Sequence, residues 1–138
     1  MGTASVKVTL EAQGPEVWEV ISDFGSIARW VPGITQVELK GRGVGAVRTV
    51  SYEDGTRSVE RLESLNDDSR SLSYTILESS LPVQGYIGSL TVRDLPAGCE
   101  VEWYSTFGAK GAAENDVARL LEGKCRKSLA GLQKFLRP

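Results

Sequence analysis

The chain offers few of the residue types that usually carry chemistry, because it contains no histidine. Histidine is the commonest general base near neutral pH and the commonest metal ligand, so histidine-based triads and most zinc sites are excluded. We predict neither a metal site nor a bound cofactor. The two cysteines, Cys99 and Cys125, fall in a strand-like and a helix-like segment with no framework of cysteines around them, which favours two reduced thiols.

The alternating stretch from Ser58 to Leu65 contains two carboxylates, Glu60 and Glu63. Alternation places two sets of residues on opposite faces of a strand: Ser58, Glu60, Leu62 and Ser64 on one, and Val59, Arg61, Glu63 and Leu65 on the other. Composition alone does not choose which of these faces is buried.

The bulk properties favour one globular domain, which we assign to residues 1–138. The formal net charge is -2 and the basic residues are scattered, so nucleic acid is not an expected partner. No apolar run approaches the roughly 20 residues that span a bilayer, and the N-terminus lacks the pattern of a secretory signal. We therefore expect a cytoplasmic protein without a membrane span, either a monomer or a homodimer.

The first part of the sequence changes from a strand pattern to a helix pattern. Period-2 alternation over Thr3–Glu11 predicts a half-buried strand. Pro15 suits the first position of a short helix that extends to Asp23. A second helical turn begins at Ser26 and ends before Pro32. Two tryptophans on these helices, Trp18 and Trp30, are expected to anchor them to the sheet.

After these helices the period-2 pattern returns and predicts six more strands, mostly in antiparallel hairpins. The predicted strands are Ile34 to Leu39, Ala46 to Tyr52, Ser58 to Leu65, Leu72 to Ile76, Tyr86 to Leu95 and Cys99 to Phe107. The glycine-rich segment GRGVG lacks a following helix and the Lys-Ser/Thr pair of a phosphate-binding loop, so we interpret it as a hairpin turn.

A long helix is predicted to begin at Asn115 or Asp116 and to carry one broad apolar stripe. The stripe consists of Val117, Leu120, Leu121, Cys125, Ser128, Leu129, Leu132 and Leu136. Each glycine inside a helix costs up to roughly 1 kcal/mol relative to alanine. We therefore expect the small residues Gly123, Ser128 and Gly131 to make room for something else and to help set a cavity.

This order of elements resembles the helix-grip fold of the START and birch-pollen-allergen-like superfamily, also called SRPBCC. The segment VWEVISDFGSIARWVPGI is similar to the first helix and V-shaped helix pair of that family, GVGAVRTV to its second hairpin, and SVERLESLNDDSRSLSYTILESSLPV to its fourth and fifth strands. Together they resemble the bacterial polyketide cyclase/dehydrase branch over nearly the whole chain, and also plant abscisic acid receptors and lachrymatory-factor-synthase-like proteins.

The resemblance implies an α+β fold. About seven antiparallel strands would form a curved sheet wrapped around the long C-terminal helix, with two short helices after the first strand. In that superfamily a cavity between sheet and helix holds lipids, hormones, polyketides or similar compounds. The expected partner is therefore a small hydrophobic molecule, in an apolar pocket with a few polar groups that set its orientation.

The resemblance also implies which residues face the cavity. Glu60 matches a glutamate that faces the cavity in hormone-receptor relatives, and Arg48 on the neighbouring strand would face it too. The other predicted ligand-binding residues are Thr35, Val50, Tyr52, Ser58, Leu62, Tyr74, Ile76, Leu81, Val83, Tyr86, Trp103, Ser105, Leu121, Cys125 and Ser128. Thr35 stands where those receptors carry a lysine for the hormone's carboxylate, and residues 52–57 lack the S-G-L-P sequence of the receptors' gating loop. Abscisic acid is therefore not the expected ligand.

Two functions stay open at this stage. In the first, the chain binds or carries a hydrophobic molecule, and the Arg48–Glu60 pair either orients it or forms a salt bridge with no ligand role. The second, suggested by enzymatic relatives, is a cofactor-independent cyclase, dehydratase or isomerase. Glu60 would then be the acid or base, and Arg48 would stabilise a developing oxyanion or enolate. An interaction module would need a large exposed apolar patch, and the sequence predicts none.

Overall fold

The computed structural model describes residues 1–137 and contains one seven-stranded sheet with helices packed on it. The strands are β1 (Gly2–Leu10), β2 (Ile34–Lys40), β3 (Val47–Tyr52), β4 (Arg57–Asn66), β5 (Ser71–Ser79), β6 (Val83–Asp94) and β7 (Cys99–Ala109). The helices are α1 (Gly14–Ile21), a 3₁₀ helix (Phe24–Arg29) and α2 (Glu114–Leu136). The predicted α+β helix-grip fold is confirmed, with strand and helix ends that differ from the predicted ones by a few residues.

Every strand pair in the sheet is antiparallel, and the strand order is β1-β7-β6-β5-β4-β3-β2. Strands β2 to β7 follow one another as a meander, whereas β1 pairs with β7 at the far edge, from Gly2 opposite Phe107 to Leu10 opposite Cys99. Helix α1 and the 3₁₀ helix form the connection between these two sheet edges.

Irregularities in strand register bend the sheet. The β4–β5 pairing shifts between Val59 and Glu60 and again between Leu62 and Ser64, and the β6–β7 pairing shifts between Gln84 and Ile87. Bulges of this kind increase the local twist and kink the strand. The curved inner face that results can wrap around α2.

Helix α2 buries one side against the concave face of the sheet. Its buried residues are Val117, Leu121, Cys125, Ser128, Leu129 and Leu132. Leu120 was expected on this stripe but is 43% exposed, because successive helical residues point about 100° apart and Leu121 takes the inward direction. Within residues 1–137 no helix combines the length and the hydrophobicity needed to cross a membrane.

The glycines of α2 do not set the cavity as expected. Gly131 lies against the chain that follows the 3₁₀ helix, where a Cβ atom would overlap the carbonyl oxygen of Trp30 and approach the ring of Pro32. Gly123 faces open space. The small residue at 131 therefore allows a close approach between helix and backbone, and only Ser128 of the three lies at the cavity.

Both tryptophans of the first helices anchor them, as predicted. Trp18 is buried, and its Nε1 donates a hydrogen bond to Oδ1 of Asp67 at 2.9 Å. Trp30 is also buried and packs against Trp103 of β7, with ring centroids 6.0 Å apart. Cys99 and Cys125 are both buried, and they form no disulfide with each other, as predicted.

Candidate ligand cavity

A cavity of about 80 Å³, called here the inner cavity, lies between α2 and the concave face of the sheet. It is lined by Ile27, Val31, Arg48, Tyr52, Glu60, Tyr74, Ile76, Leu81, Tyr86, Trp103, Leu121, Lys124, Cys125 and Ser128. Pockets for drug-sized ligands usually enclose roughly 300–1,000 Å³. At this volume the inner cavity suits a small molecule or a slender chain, and a bulkier ligand would require a wall to move.

A buried ion pair forms one polar wall of the inner cavity. Arg48 of β3 and Glu60 of β4 are directly paired in the sheet register, and both are buried. Nε of Arg48 donates to Oε1 of Glu60 at 2.8 Å, and Nη2 lies 2.7 Å from the same oxygen. The hydroxyl of Ser58 donates to Oε2 of Glu60 at 2.8 Å. Both carboxylate oxygens are thus hydrogen-bonded, which offsets the cost of removing the charge from water.

Arg48 also connects the sheet to the 3₁₀ helix. Its Nη1 donates to the carbonyl oxygen of Phe24 at 3.0 Å, and its guanidinium lies 3.8 Å from the centroid of the Phe24 ring and 5.4 Å from that of Tyr74. A planar guanidinium can stack on aromatic rings while it donates hydrogen bonds at its edge, which lysine cannot do. Arg48 therefore has a structural role in addition to any role toward a ligand.

Two tyrosine hydroxyls and one indole form a second polar group in the wall. Nε1 of Trp103 donates to the hydroxyl of Tyr74 at 3.1 Å, and the hydroxyls of Tyr74 and Tyr86 are 3.0 Å apart. Gly88, paired with Tyr74 in the register, makes this possible, because a Cβ there would lie 2.7 Å from the Tyr74 ring. The hydroxyls can orient an oxygen atom of a ligand in an otherwise apolar space.

Three tyrosines and one cysteine that line the inner cavity stay protonated at neutral pH. Burial raises the pKa of Tyr86 and of Cys125 to about 12 each, and it raises the pKa of Tyr74 well above its ordinary value. Burial, followed by the charge of Glu60, also raises the pKa of Tyr52 to about 12. The phenols can therefore donate hydrogen bonds, but neither they nor the thiol provides an ionised nucleophile.

Most of the predicted site residues line the inner cavity. The exceptions are Thr35, Val50, Ser58, Leu62, Val83 and Ser105. Val50, Leu62 and Ser105 do lie on the inner face, but they are almost fully buried and do not line the inner cavity. Ser58 is buried and touches Glu60, so it supports the ion pair from outside the cavity.

Thr35 and Val83 lie outside the inner cavity, and both stand beside an irregularity of the strand register. The β2–β3 register shifts between Ile34 and Gln36, and the exposed Thr35 side chain donates to the carbonyl oxygen of Ser51 at 3.2 Å. Val83 begins β6 beside the register shift that precedes Ile87, and its side chain borders a cleft outside the inner cavity. Both positions were taken from the family resemblance, and a bulge can turn such a position away from the inner face.

Three lining residues were not predicted, namely Ile27, Val31 and Lys124. Ile27 and Val31 belong to the 3₁₀ helix and the chain after it, and their apolar character was the available signal. Lys124 follows Leu121 by three residues and precedes Ser128 by four, so helical spacing puts it on the same side of α2. Its positive charge did not indicate a position in the lining of a mostly apolar site.

Comparison with solved structures shows closely similar molecules. The protein XoxI of Bacillus cereus is 28% identical, with a TM-score of 0.91 over 99% of this chain and 97% of that one. A protein of Bacillus thuringiensis is also 28% identical, with a TM-score of 0.90 over 98% of this chain and 99% of its own. The di-domain ARO/CYC BexL from the BE-7585A biosynthetic pathway has a TM-score of 0.84 over 99% of this chain and 46% of that one. At 20% identity, BexL shows a shared fold alone.

A family model provides the assignment. The model described as polyketide cyclase / dehydrase and lipid transport matches residues 1–137. The match covers every element that builds the inner cavity, from β1 to α2. It confirms the resemblance drawn from the sequence motifs and supports a ligand-binding or cyclase role. The chain therefore belongs to the polyketide cyclase / dehydrase and lipid transport family.

Proposed function

We propose that this protein binds a small hydrophobic molecule, such as a lipid, a polyketide or a similar metabolite, in the inner cavity. The observation that carries the proposal is the largely apolar lining of this space, which includes Ile76, Leu81 and Leu121, with only a few polar groups. Such a combination is typical of pockets in which burial supplies affinity and a few hydrogen bonds set the orientation. The volume of about 80 Å³ favours a slender ligand over a fused ring system.

The test is titration calorimetry with 1-octanol, a slender molecule with one hydroxyl. We expect the protein to bind it, and Cys125→Phe to weaken binding at least about tenfold, because a phenyl ring at this lining position fills the inner cavity. Leu120→Phe is the matched control, since Leu120 is exposed on the same helix. Leu121→Ala should keep or improve binding by enlarging the space. Absence of octanol binding, or equal binding by the Cys125→Phe and Leu120→Phe variants, would contradict the proposal.

A cofactor-independent cyclase, dehydratase or isomerase is the second candidate. The observation that favours it is that Glu60, Arg48 and Tyr86 border the same space. Glu60 would accept a proton from a carbon next to a ligand carbonyl, and Arg48 or Tyr86 would stabilise the enolate oxygen. For this step Oε2 of Glu60 is the better acceptor, because it accepts one hydrogen bond, from Ser58, whereas Oε1 lies close to two nitrogens of Arg48.

Deuterium incorporation into the methyl group of acetophenone in D₂O measures this proton transfer directly. Under the second candidate we expect the protein to accelerate the exchange above the buffer rate and Glu60→Gln to abolish the acceleration, because an amide cannot act as the base. Glu63→Gln, on the opposite face of β4, should leave it unchanged. An exchange rate equal to that of buffer, or an unchanged rate in Glu60→Gln, would remove Glu60 as the base.

A further inference from the structure

A second space of about 90 Å³ adjoins the inner cavity on the side of the β3–β4 turn and the β5–β6 loop. We call it the outer compartment; it is lined by Tyr52, Asp54, Thr56, Arg57, Ser58, Glu60, Ser79, Ser80, Leu81 and Lys124. Tyr52, Glu60, Leu81 and Lys124 border both spaces. The two spaces therefore share a wall, but the outer compartment is rich in hydroxyl and charged groups, whereas the inner cavity is mostly apolar.

Most charges around the outer compartment already have partners. The carboxylate of Glu60 is held by Arg48 and Ser58. Oδ1 of Asp54 accepts hydrogen bonds from the backbone N–H of Thr56 at 2.9 Å and from its hydroxyl at 2.6 Å. Arg57 pairs at 3.2 Å with Glu78, which does not line the outer compartment.

Lys124 is the exception. Among residues 1–137 no carboxylate oxygen lies within 4.0 Å of its ammonium group. The side chain is exposed and stands where the two spaces meet. Its charge also acts toward the β3–β4 turn, since it helps to lower the pKa of Asp54, after the larger effect of the Thr56 hydrogen bonds. The junction between the spaces thus carries a cation without an ion-pair partner.

We infer that the natural ligand is an amphipathic monocarboxylate whose slender apolar part lies in the inner cavity and whose carboxylate binds Lys124 in the outer compartment. This inference rests on the proposed ligand-binding function. A carboxylate matches one unpaired ammonium group, and neighbouring serine hydroxyls such as Ser80 can donate to it. A dianionic group such as a phosphate fits less well, because Asp54 and Glu60 border the same compartment.

The test compares octanoate with 1-octanol by titration calorimetry near neutral pH, since the two differ only in the head group. We expect the protein to bind octanoate about fivefold more tightly, as is typical for a partly exposed ion pair. Lys124→Met keeps the apolar stem and should remove this preference, so that octanoate no longer binds more tightly than octanol. Lys127→Met, at an exposed position one helical turn further on and outside both spaces, is the matched control and should keep the preference.

A second variant should strengthen carboxylate binding, whereas Lys124→Met should weaken it. Asp54→Asn retains an oxygen for the Thr56 hydrogen bonds but removes the negative charge near Lys124, so octanoate should bind about twofold to threefold more tightly and octanol equally well. Equal affinities of the wild-type protein for octanoate and octanol would overturn the carboxylate inference alone. A preference that survives Lys124→Met would overturn the role of Lys124. If neither compound binds, the proposed function itself fails.

Discussion

Replacing Glu60 with leucine should lower the free energy of unfolding by about 3–5 kcal/mol. The substitution leaves the guanidinium of Arg48 without its carboxylate at a position where only 6% of that side chain is exposed. Desolvation of an unpaired charge is the dominant cost, because the remaining contacts of Arg48 are a single carbonyl oxygen and two aromatic rings. Chemical denaturation monitored by tryptophan fluorescence measures the change.

Two controls separate burial of charge from loss of a contact. Glu78→Leu breaks the exposed pair with Arg57 and should cost at most about 1 kcal/mol. The double variant Arg48→Met/Glu60→Leu removes both buried charges and should recover most of the loss, although the Phe24 carbonyl then lacks its donor. If Glu60→Leu costs no more than Glu78→Leu, the ion pair is not desolvated as the structure indicates.

Gly131→Ala should destabilise the protein by about 2–3 kcal/mol, even though alanine is the better helix former. The new methyl group would overlap the backbone oxygen of Trp30 and crowd Pro32, and neither can rotate away as a flexible side chain could. Helix α2 would have to move outward from the chain that follows the 3₁₀ helix. Thermal and chemical denaturation of the variant test this expectation.

Gly123→Ala is the matched control, because it makes the same chemical change in the same helix. Apart from the nearby backbone of α2 itself, no atom lies within 4 Å of the position that the alanine Cβ would occupy. It should therefore stabilise the protein by about 0.5–1 kcal/mol, which is the difference in helix propensity. If Gly131→Ala stabilised the protein as Gly123→Ala is expected to do, the approach of helix and backbone at Gly131 would not be tight.

The regular elements were predictable because each depends on a local pattern. Alternation marked every strand, and the spacing of Leu121, Cys125, Leu129 and Leu132 marked the buried side of α2. The partner of Gly131 was not predictable in this way. A glycine in a helical pattern does not by itself indicate a close approach, since Gly123 faces open space, and the Trp30 backbone beside Gly131 is about 100 residues away in the sequence.

The candidate site was predictable in part, for a physical reason that differs from residue to residue. The two faces of β4 are similar in polarity, so alternation could not choose between Glu60 and Glu63, and the family resemblance was needed to place Glu60 inward. For Thr35 the resemblance pointed to a position in the cavity, but this residue lies at a register shift in the edge strand β2, outside the inner cavity. Lys124 lies at the border of the apolar side of α2. From the sequence alone, its charge did not indicate whether it would face solvent or line the cavity.

The pairing of β1 with β7 has a consequence for how the chain folds as it is synthesised. All nine residues of β1 find their sheet partners within residues 99–107, so the first strand made must wait for the last one. Closing so long a loop delays the final step, which places folding toward the slower, high-contact-order end of the range for small domains. Until β7 leaves the ribosome, β1 has no sheet partner, and its alternating apolar side is exposed to aggregation during that interval.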